Sequence, residues 1–512
     1  MTNDPSWRRM LCGLRPDLAP GDKAQRICAP AVYSTIGVLN FAVLPGGLAF
    51  MQLPRVVLHA LSAASSWGMS VLPSEQSIQE SVQEPIREPL PRQLTGFSLW
   101  LLMINGVVGA GIFGLPGEVA RLAGDNGVWI FLVCALLILP VVLVFAHLGS
   151  RHAGTGGPML YTGTAFGAFA GFQTGWAFYV ARLTAFAANI NLLVITLAWF
   201  WPAVAEPVPK FGLLVVCITL LAVINSAGVQ RAMSWLGVIT LAKFLPMLAV
   251  VAVGLFVMQS NPTSDAVVGP PAPIDFGAAI LLVIYAFVGF ESGLVPAGEA
   301  RQPQRDIPRA LLAALLAAAI FYAAIHVVCT ALLPDLSGMK QPVVEAGAIL
   351  FGTTGAIILT LGVVASVGGN LLGAMFSTPR ITYRLALEGQ LPALLGRVSP
   401  AHKTPVVSIL LFAALSLLLA ASGSFVWLAS LSVVVRLLIY VGCILAVPNS
   451  RTRAINAADV LNLPGGLLIP CIALLVCVYL LWQVTTAAWL MAAVLLGAGS
   501  LLYGLTKIST SR

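Results

Sequence analysis

From residue 95 onward the chain alternates between long apolar runs and short stretches carrying Gly, Pro or charge. The runs lie at about 96–121, 127–150, 169–200, 209–228, 233–258, 275–298, 308–333, 353–384, 405–421, 424–447, 465–483 and 486–506. About 20 consecutive apolar residues cross the hydrocarbon core as a helix. Most runs end at Gly, Pro or a charge, as helices do. The pattern predicts an all-α integral membrane protein with twelve transmembrane helices. A further apolar stretch at 28–53 is broken by Pro30 and Pro45 and followed by Pro54. As a span it would place Arg8, Arg9, Arg15, Lys23 and Arg26 outside, against the rule that Lys and Arg stay on the cytoplasmic side. Residues 1–68 are therefore expected to be a dispensable extension, with Met69 a plausible start. Residues 69–94 read as a polar cytoplasmic tail.

Composition agrees. The chain is 59% hydrophobic and 9% charged, where a soluble domain carries about 25% charged residues. The net charge of +8 is spread over short loops and suggests no nucleic-acid partner. It reports orientation instead. With the N-terminus inside, fifteen Lys and Arg of the loops and tails from residue 69 onward fall on the inner side. Three, Arg121, Lys210 and Lys340, fall outside. Both termini are then cytoplasmic, in a multi-pass protein of the plasma (inner) membrane. The eight cysteines form no C-x-x-C pair and read as small core residues, so neither a disulfide framework nor a metal site is expected.

The stretch "GVVGAGIFGLPG", 106–117, contains Gly109-x-Gly111-x-x-Gly114, the spacing of a dinucleotide fingerprint. That fingerprint needs a soluble βαβ unit, and here it sits inside the first span. Two explanations remain. Small residues let helices pack closely in lipid. Alternatively, glycines break the helix and expose backbone groups where these line a cavity. A second Gly-centred interruption, "FVGFE", lies in span six, five spans later and so in the opposite direction. Paired interrupted helices in corresponding positions point to a secondary transporter built from inverted repeats. Half-helix ends carry partial charges of opposite sign. Together they suit a zwitterion, its carboxylate on N–H groups and its amine on C=O groups.

These residues carry a family resemblance. The chain resembles the amino acid–polyamine–organocation transporters over about residues 95–506. The motifs come in family order: "GAGIFGLP"; "GTGGPMLYTGTAFG" (154–167), similar to the loop entering span three; "FVGFE" with "PAGEARQPQRDIPRAL"; "LALEGQLPALLGRVSPAHKTP" before span nine; and "RLLIYVGCILAVP" ending span ten. The resemblance implies the five-plus-five inverted repeat known as the LeuT fold. Spans 1–5 (95–258) form one repeat, spans 6–10 (275–447) the second, and spans 11–12 (465–506) a C-terminal pair. It implies a substrate site at Val108, Gly109, Ala110, Gly111 and Ile112 of the first break and Ala286, Phe287, Val288, Gly289 and Phe290 of the second. An aromatic at about Phe287 acts as a gate in relatives; plain packing is the alternative.

Ionisable groups inside spans each need a reason, since insertion costs about 2.5 kcal/mol or more. Glu291 follows the second break, as a gating carboxylate or as an organiser of the unwound turn. Arg182 in span three could bind an acidic substrate side chain or pair with Glu291. Arg436 reads as structural, paired with backbone or a carboxylate, and His326 as a core histidine. Lys243 in span five stands, by the resemblance, where sodium-coupled relatives hold a cation. It would reach carbonyls freed at Gly109–Gly111 and the Ser366 hydroxyl. It could exchange a proton during transport or stay permanently protonated. The expectation is a secondary active, proton-coupled amino acid transporter, with an exchanger lacking net proton coupling as alternative. A membrane-embedded enzyme would need a cluster such as H-E-x-x-H, which the sequence lacks. The implied partners are an amino acid, protons and the lipid bilayer, in a monomer or homodimer without cofactor.

Overall fold

The computed structural model describes residues 90–198, 201–260, 275–422, 425–450, 460–484 and 486–510. The expected extension 1–68 and most of the tail before residue 95 lie outside them. Among the described residues the architecture is helical, with one isolated bridge between Leu94 and Ala300. Among the described residues, seven helices are long and apolar enough to cross a membrane, and four shorter apolar helices accompany them.

The first apolar run is not one helix. α1 (Gly96–Val107) begins at Thr95, whose hydroxyl accepts from the Ser98 N–H. It stops at Val108, and a 3-10 turn (Ala110–Phe113) leads into α2 (Leu115–Ala123). α3 (Gly127–Arg151) follows. The stretch expected as a loop before span three is instead largely a helix, α4 (Pro158–Phe166). Pro158 starts it, since proline's missing N–H is no loss in a first turn. Gly167, at φ +94°, separates it from α5 (Ala168–Ala198). α6 (Pro207–Ser226) and α7 (Val229–Ser260) complete the first half.

The second half opens with α8 (Phe276–Ala286), again interrupted. Beyond it the chain continues not as an α-helix but as two 3-10 turns, Phe290–Gly293 and Val295–Glu299. α9 (Pro303–Leu332) is followed by α10 (Pro342–Ser377), which kinks at Gly352, φ +65°. The run expected as span eight carries two consecutive helices, α10 ending at Ser377 and α11 (Pro379–Leu387) begun by its proline. α12 (Val406–Ser422), α13 (Phe425–Ser450), α14 (Leu468–Trp482) and α15 (Thr486–Thr510) close the chain.

Packing explains which side chains face inward. α5 touches α4, α10, α12, α13 and α15 and lies at the centre of the bundle, while α9 packs on α1 and α3. α7 packs along α10. On α7, Leu236, Thr240, Lys243, Met247 and Val250 are buried, whereas Val238, Leu241, Leu245 and Leu248 are exposed. Both sets follow helical spacing, so one face of α7 meets protein and the other is an apolar stripe. α15 exposes Leu490, Val494, Leu501 and Leu505 in the same way. Stripes of this size are unfavourable in water and neutral against lipid tails.

Candidate functional site

The two breaks meet back to back. A Cβ on Gly106 would fall against the Gly289 carbonyl, and one on Gly289 against the Gly106 carbonyl. Gly289 also holds φ +122°, which side chains rarely tolerate. Gly111, by contrast, has open space where a Cβ would sit, and Gly109 nearly so. Both explanations of the glycine-rich stretch therefore hold, at different residues. Gly106 permits close approach of the backbones, while Gly109 and Gly111 border a cavity.

That cavity has a volume of about 510 Å³, within the usual range of small-molecule sites. Gly109, Gly111 and Ile112 line it from the first break, and Ala286 and Val288 from the second. Val108, Phe287, Gly289 and Phe290 are not among its lining residues. Phe287 is buried against Tyr322, ring centroids 5.3 Å apart. Phe290 stacks on Tyr440. Ala110 opens the 3-10 turn. The other walls come from Ala185, Ala188 and Asn189 on α5, Tyr322 on α9, Asn370 on α10 and Arg436 on α13.

Breaking a helix in an apolar interior frees carbonyls that must find donors. Each freed group of α1 has one. Lys243 Nζ donates to the Val108 carbonyl at 2.6 Å, and the Ser366 hydroxyl approaches the same oxygen at 3.4 Å. Lys243 thus reaches the break one residue before the expected Gly109–Gly111. Asn370 Nδ2 donates to the Asn105 and Gly106 carbonyls at 3.1 and 3.3 Å. Tyr322 Oη lies 3.1 Å from both the Val107 and the Ala286 carbonyl oxygens.

At the second break Glu291 is fully buried. Its Oε2 accepts from the Gly289 N–H at 3.1 Å and from the Tyr440 hydroxyl at 2.9 Å. Its Oε1 lies 3.0 Å from Arg436 Nη1. One carboxylate thus both organises the left-handed turn and ties it to α13. The arginine in this ion pair is Arg436, read as structural, which also reaches the cavity wall. Arg182 is buried on α5 and is not among the lining residues. His326 packs on Phe131 as a core histidine.

The cavity's rim carries Glu118, Lys340 and Gln341. The opposite end, where α1 begins, is sealed. Leu94 exchanges backbone bonds with the segment after the second break, Leu94 N to Glu299 O at 2.8 Å and Arg301 N to Leu94 O at 2.9 Å. Glu299 and Arg380 form an ion pair with no exposure of either side chain, Nε to Oε1 2.5 Å. The guanidinium also donates to the Phe376 carbonyl and stacks on the Phe376 ring. Tyr322, Asn370 and the Glu299–Arg380 pair carried no distinctive sequence signal. A polar residue in an apolar run, as at Asn370, was the available hint. Among the described residues, no group of three or more His, Cys, Asp and Glu is placed to hold a metal ion.

The family model for amino acid permeases matches residues 94–503. The chain is 26% identical to the serine/threonine exchanger SteT of Bacillus subtilis over 386 residues, 73% of this chain and 86% of that protein. It is 26% identical to the branched-chain amino acid permease BcaP of the same organism, over 77% of this chain and 88% of the relative. It is 28% identical to a putative arginine/ornithine antiporter, again from Bacillus subtilis, over 62% and 75%. The match spans both breaks and the long apolar helices between and beyond them. The chain belongs to the amino acid permeases of the amino acid–polyamine–organocation family and is a multi-pass membrane transporter, not an enzyme.

Proposed function

We propose that the protein is a secondary active transporter that moves an amino acid across the plasma membrane by alternating access, coupled to protons. Its twelve membrane spans would form the five-plus-five inverted repeat with two helices appended, both termini in the cytoplasm. The substrate sits between the two breaks. Its carboxylate faces N–H groups of the turn Ala110–Phe113, and its amine the carbonyl ends of α1 and α8. On the charge-sorted topology Lys340 marks the outer face. The cavity then opens outward, while the Glu299–Arg380 pair and the Leu94 backbone bonds close the inner end.

The observation that carries the coupling is the Lys243 ammonium on the Val108 carbonyl, 2.6 Å away and without solvent exposure. It fills the volume beside the first break that a bound cation would need. A positive charge there repels Na⁺ strongly, because little solvent screens it. Losing the proton removes a charged donor from the broken helix; regaining it restores that donor. Protonation and the position of the break are thereby linked. A second reading, exchange without net proton flow, draws on the two relatives named as exchanger and antiporter.

Uptake into proteoliposomes separates them. The expected result is Na⁺-independent uptake that rises as external pH falls. Lys243→Ala should bind substrate yet lose its response to the proton gradient. A requirement for Na⁺ overturns proton coupling. Counterflow that is insensitive to the gradient in the unaltered protein favours exchange.

A further inference from the structure

The geometry points to a binding site for one anionic phospholipid in a groove between α6 and α12, away from the two breaks. The groove has a volume of about 570 Å³. It runs from Val215 to Ser226 along α6 and from Val406 to Leu417 along α12. Its lining residues recur at three and four positions on both helices, so each helix gives it one face. Ala222 and Ala414 leave the space that larger side chains would fill. Val223 and Leu410 on its edges are exposed, so the groove opens on the side that meets lipid.

Length and charge identify the occupant. The groove covers eleven residue steps on each helix, a rise of about 16 Å. That is half of the roughly 30 Å hydrocarbon core. A partner helix crossing the membrane would need the full thickness, whereas a groove one leaflet deep matches an acyl chain. The lining is apolar except for Thr219 midway and Ser226 and His402 at one end. At that end α6 finishes and α12 begins, tied by the Thr404 hydroxyl donating to the Ser226 carbonyl at 3.0 Å. The segments that meet there, 227–231 and 389–405, hold Arg231, Arg397, His402 and Lys403 and no Asp or Glu. All four of these side chains are exposed. On the orientation proposed above, this end is the cytoplasmic face. A chain seated in the groove brings its phosphate to the basic end, and basic residues at a membrane surface attract anionic headgroups. A zwitterionic headgroup would add a cation that the same residues repel.

The test is native mass spectrometry of the delipidated full-length protein, titrated with dioleoyl phosphatidylglycerol or dioleoyl phosphatidylcholine. The unaltered protein should bind phosphatidylglycerol about 10-fold or more tightly than phosphatidylcholine, since each basic group near the surface adds roughly five-fold. Arg231→Gln with Lys403→Gln removes two exposed charges and should erase most of that preference. Ala414→Trp, at an exposed position, fills the groove. It should weaken both lipids about 10-fold or more, because each excluded methylene is worth about four-fold. Equal affinity of the unaltered protein for the two lipids overturns the inference, as does a preference unchanged in the charge variant. Lipid binding unaffected in folded Ala414→Trp overturns it too. Should Ala414→Trp fail to fold, the charge variant decides. A dimer lost in Ala414→Trp, with no lipid adduct on the unaltered protein, assigns the groove to a second copy and likewise overturns the inference.

Discussion

Replacing Glu291 by Gln tests how the second break is held. The change keeps the size of the side chain and one acceptor oxygen. That oxygen can still take the Gly289 N–H and the Tyr440 hydroxyl, which both bond Oε2. What is lost is the charge facing Arg436, 3.0 Å away. Two unit charges at that separation attract by about 5 kcal/mol at an effective dielectric of about 20. Truncating one partner of a buried pair typically costs about 3–5 kcal/mol, because the other charge stays buried without its counterpart. Arg436→Met should cost a similar amount for the mirror-image reason. The double change Glu291→Gln with Arg436→Met removes both charges and should be milder than either single, since a buried pair is nearly balanced by its own desolvation. The interaction energy of the cycle is then at least about 3 kcal/mol. Melting of the full-length protein in detergent, followed by tryptophan fluorescence at one scan rate, reads this as apparent Tm. Each single variant should melt several degrees lower, and the double should recover most of that loss. Losses that simply add in the double variant would refute the claim that Arg436 is the energetic partner of Glu291.

Three more outcomes follow from the same geometry. Gly289→Ala places a methyl against the Gly106 carbonyl at φ +122°; the backbone strain alone costs about 1–3 kcal/mol, and a folded, fully active variant by size exclusion and uptake would contradict the back-to-back contact. Glu299→Gln should loosen the sealed end, so that Ala300→Cys, fully buried in the parent, reacts faster with a soluble maleimide in a cysteine-free background; an unchanged rate would show that the Glu299–Arg380 pair does not close this end. Deleting residues 1–68 should leave uptake intact, and loss of folding or transport would show that the extension is required.

Much of this was legible in one dimension. Apolar run lengths are a local property, and most long helices among the described residues fall on the apolar runs, while α4 stands where a loop was expected. The two Gly-centred interruptions, five runs apart, were visible for the same reason: losing helical φ/ψ is decided by a few neighbouring residues. Lys243 could be singled out because a charge within an apolar run needs a partner wherever the chain goes. Partnership is another matter. Arg182 and Arg436 are both arginines within apolar runs, and nothing along the chain says which meets Glu291; the packing of α13 beside the second break brings Arg436 to it. Gly106 looked like one glycine of several, until the crossing of α1 over the Phe290–Gly293 turn set it against Gly289. Tyr322 resembles any aromatic in a span, and only the approach of α9 to both broken ends turns its hydroxyl onto two carbonyls. Hydrophobicity tells each segment to be a helix in lipid, but the rotation and crossing of helices depend on contacts between residues hundreds of positions apart, and those contacts decide which polar atoms meet.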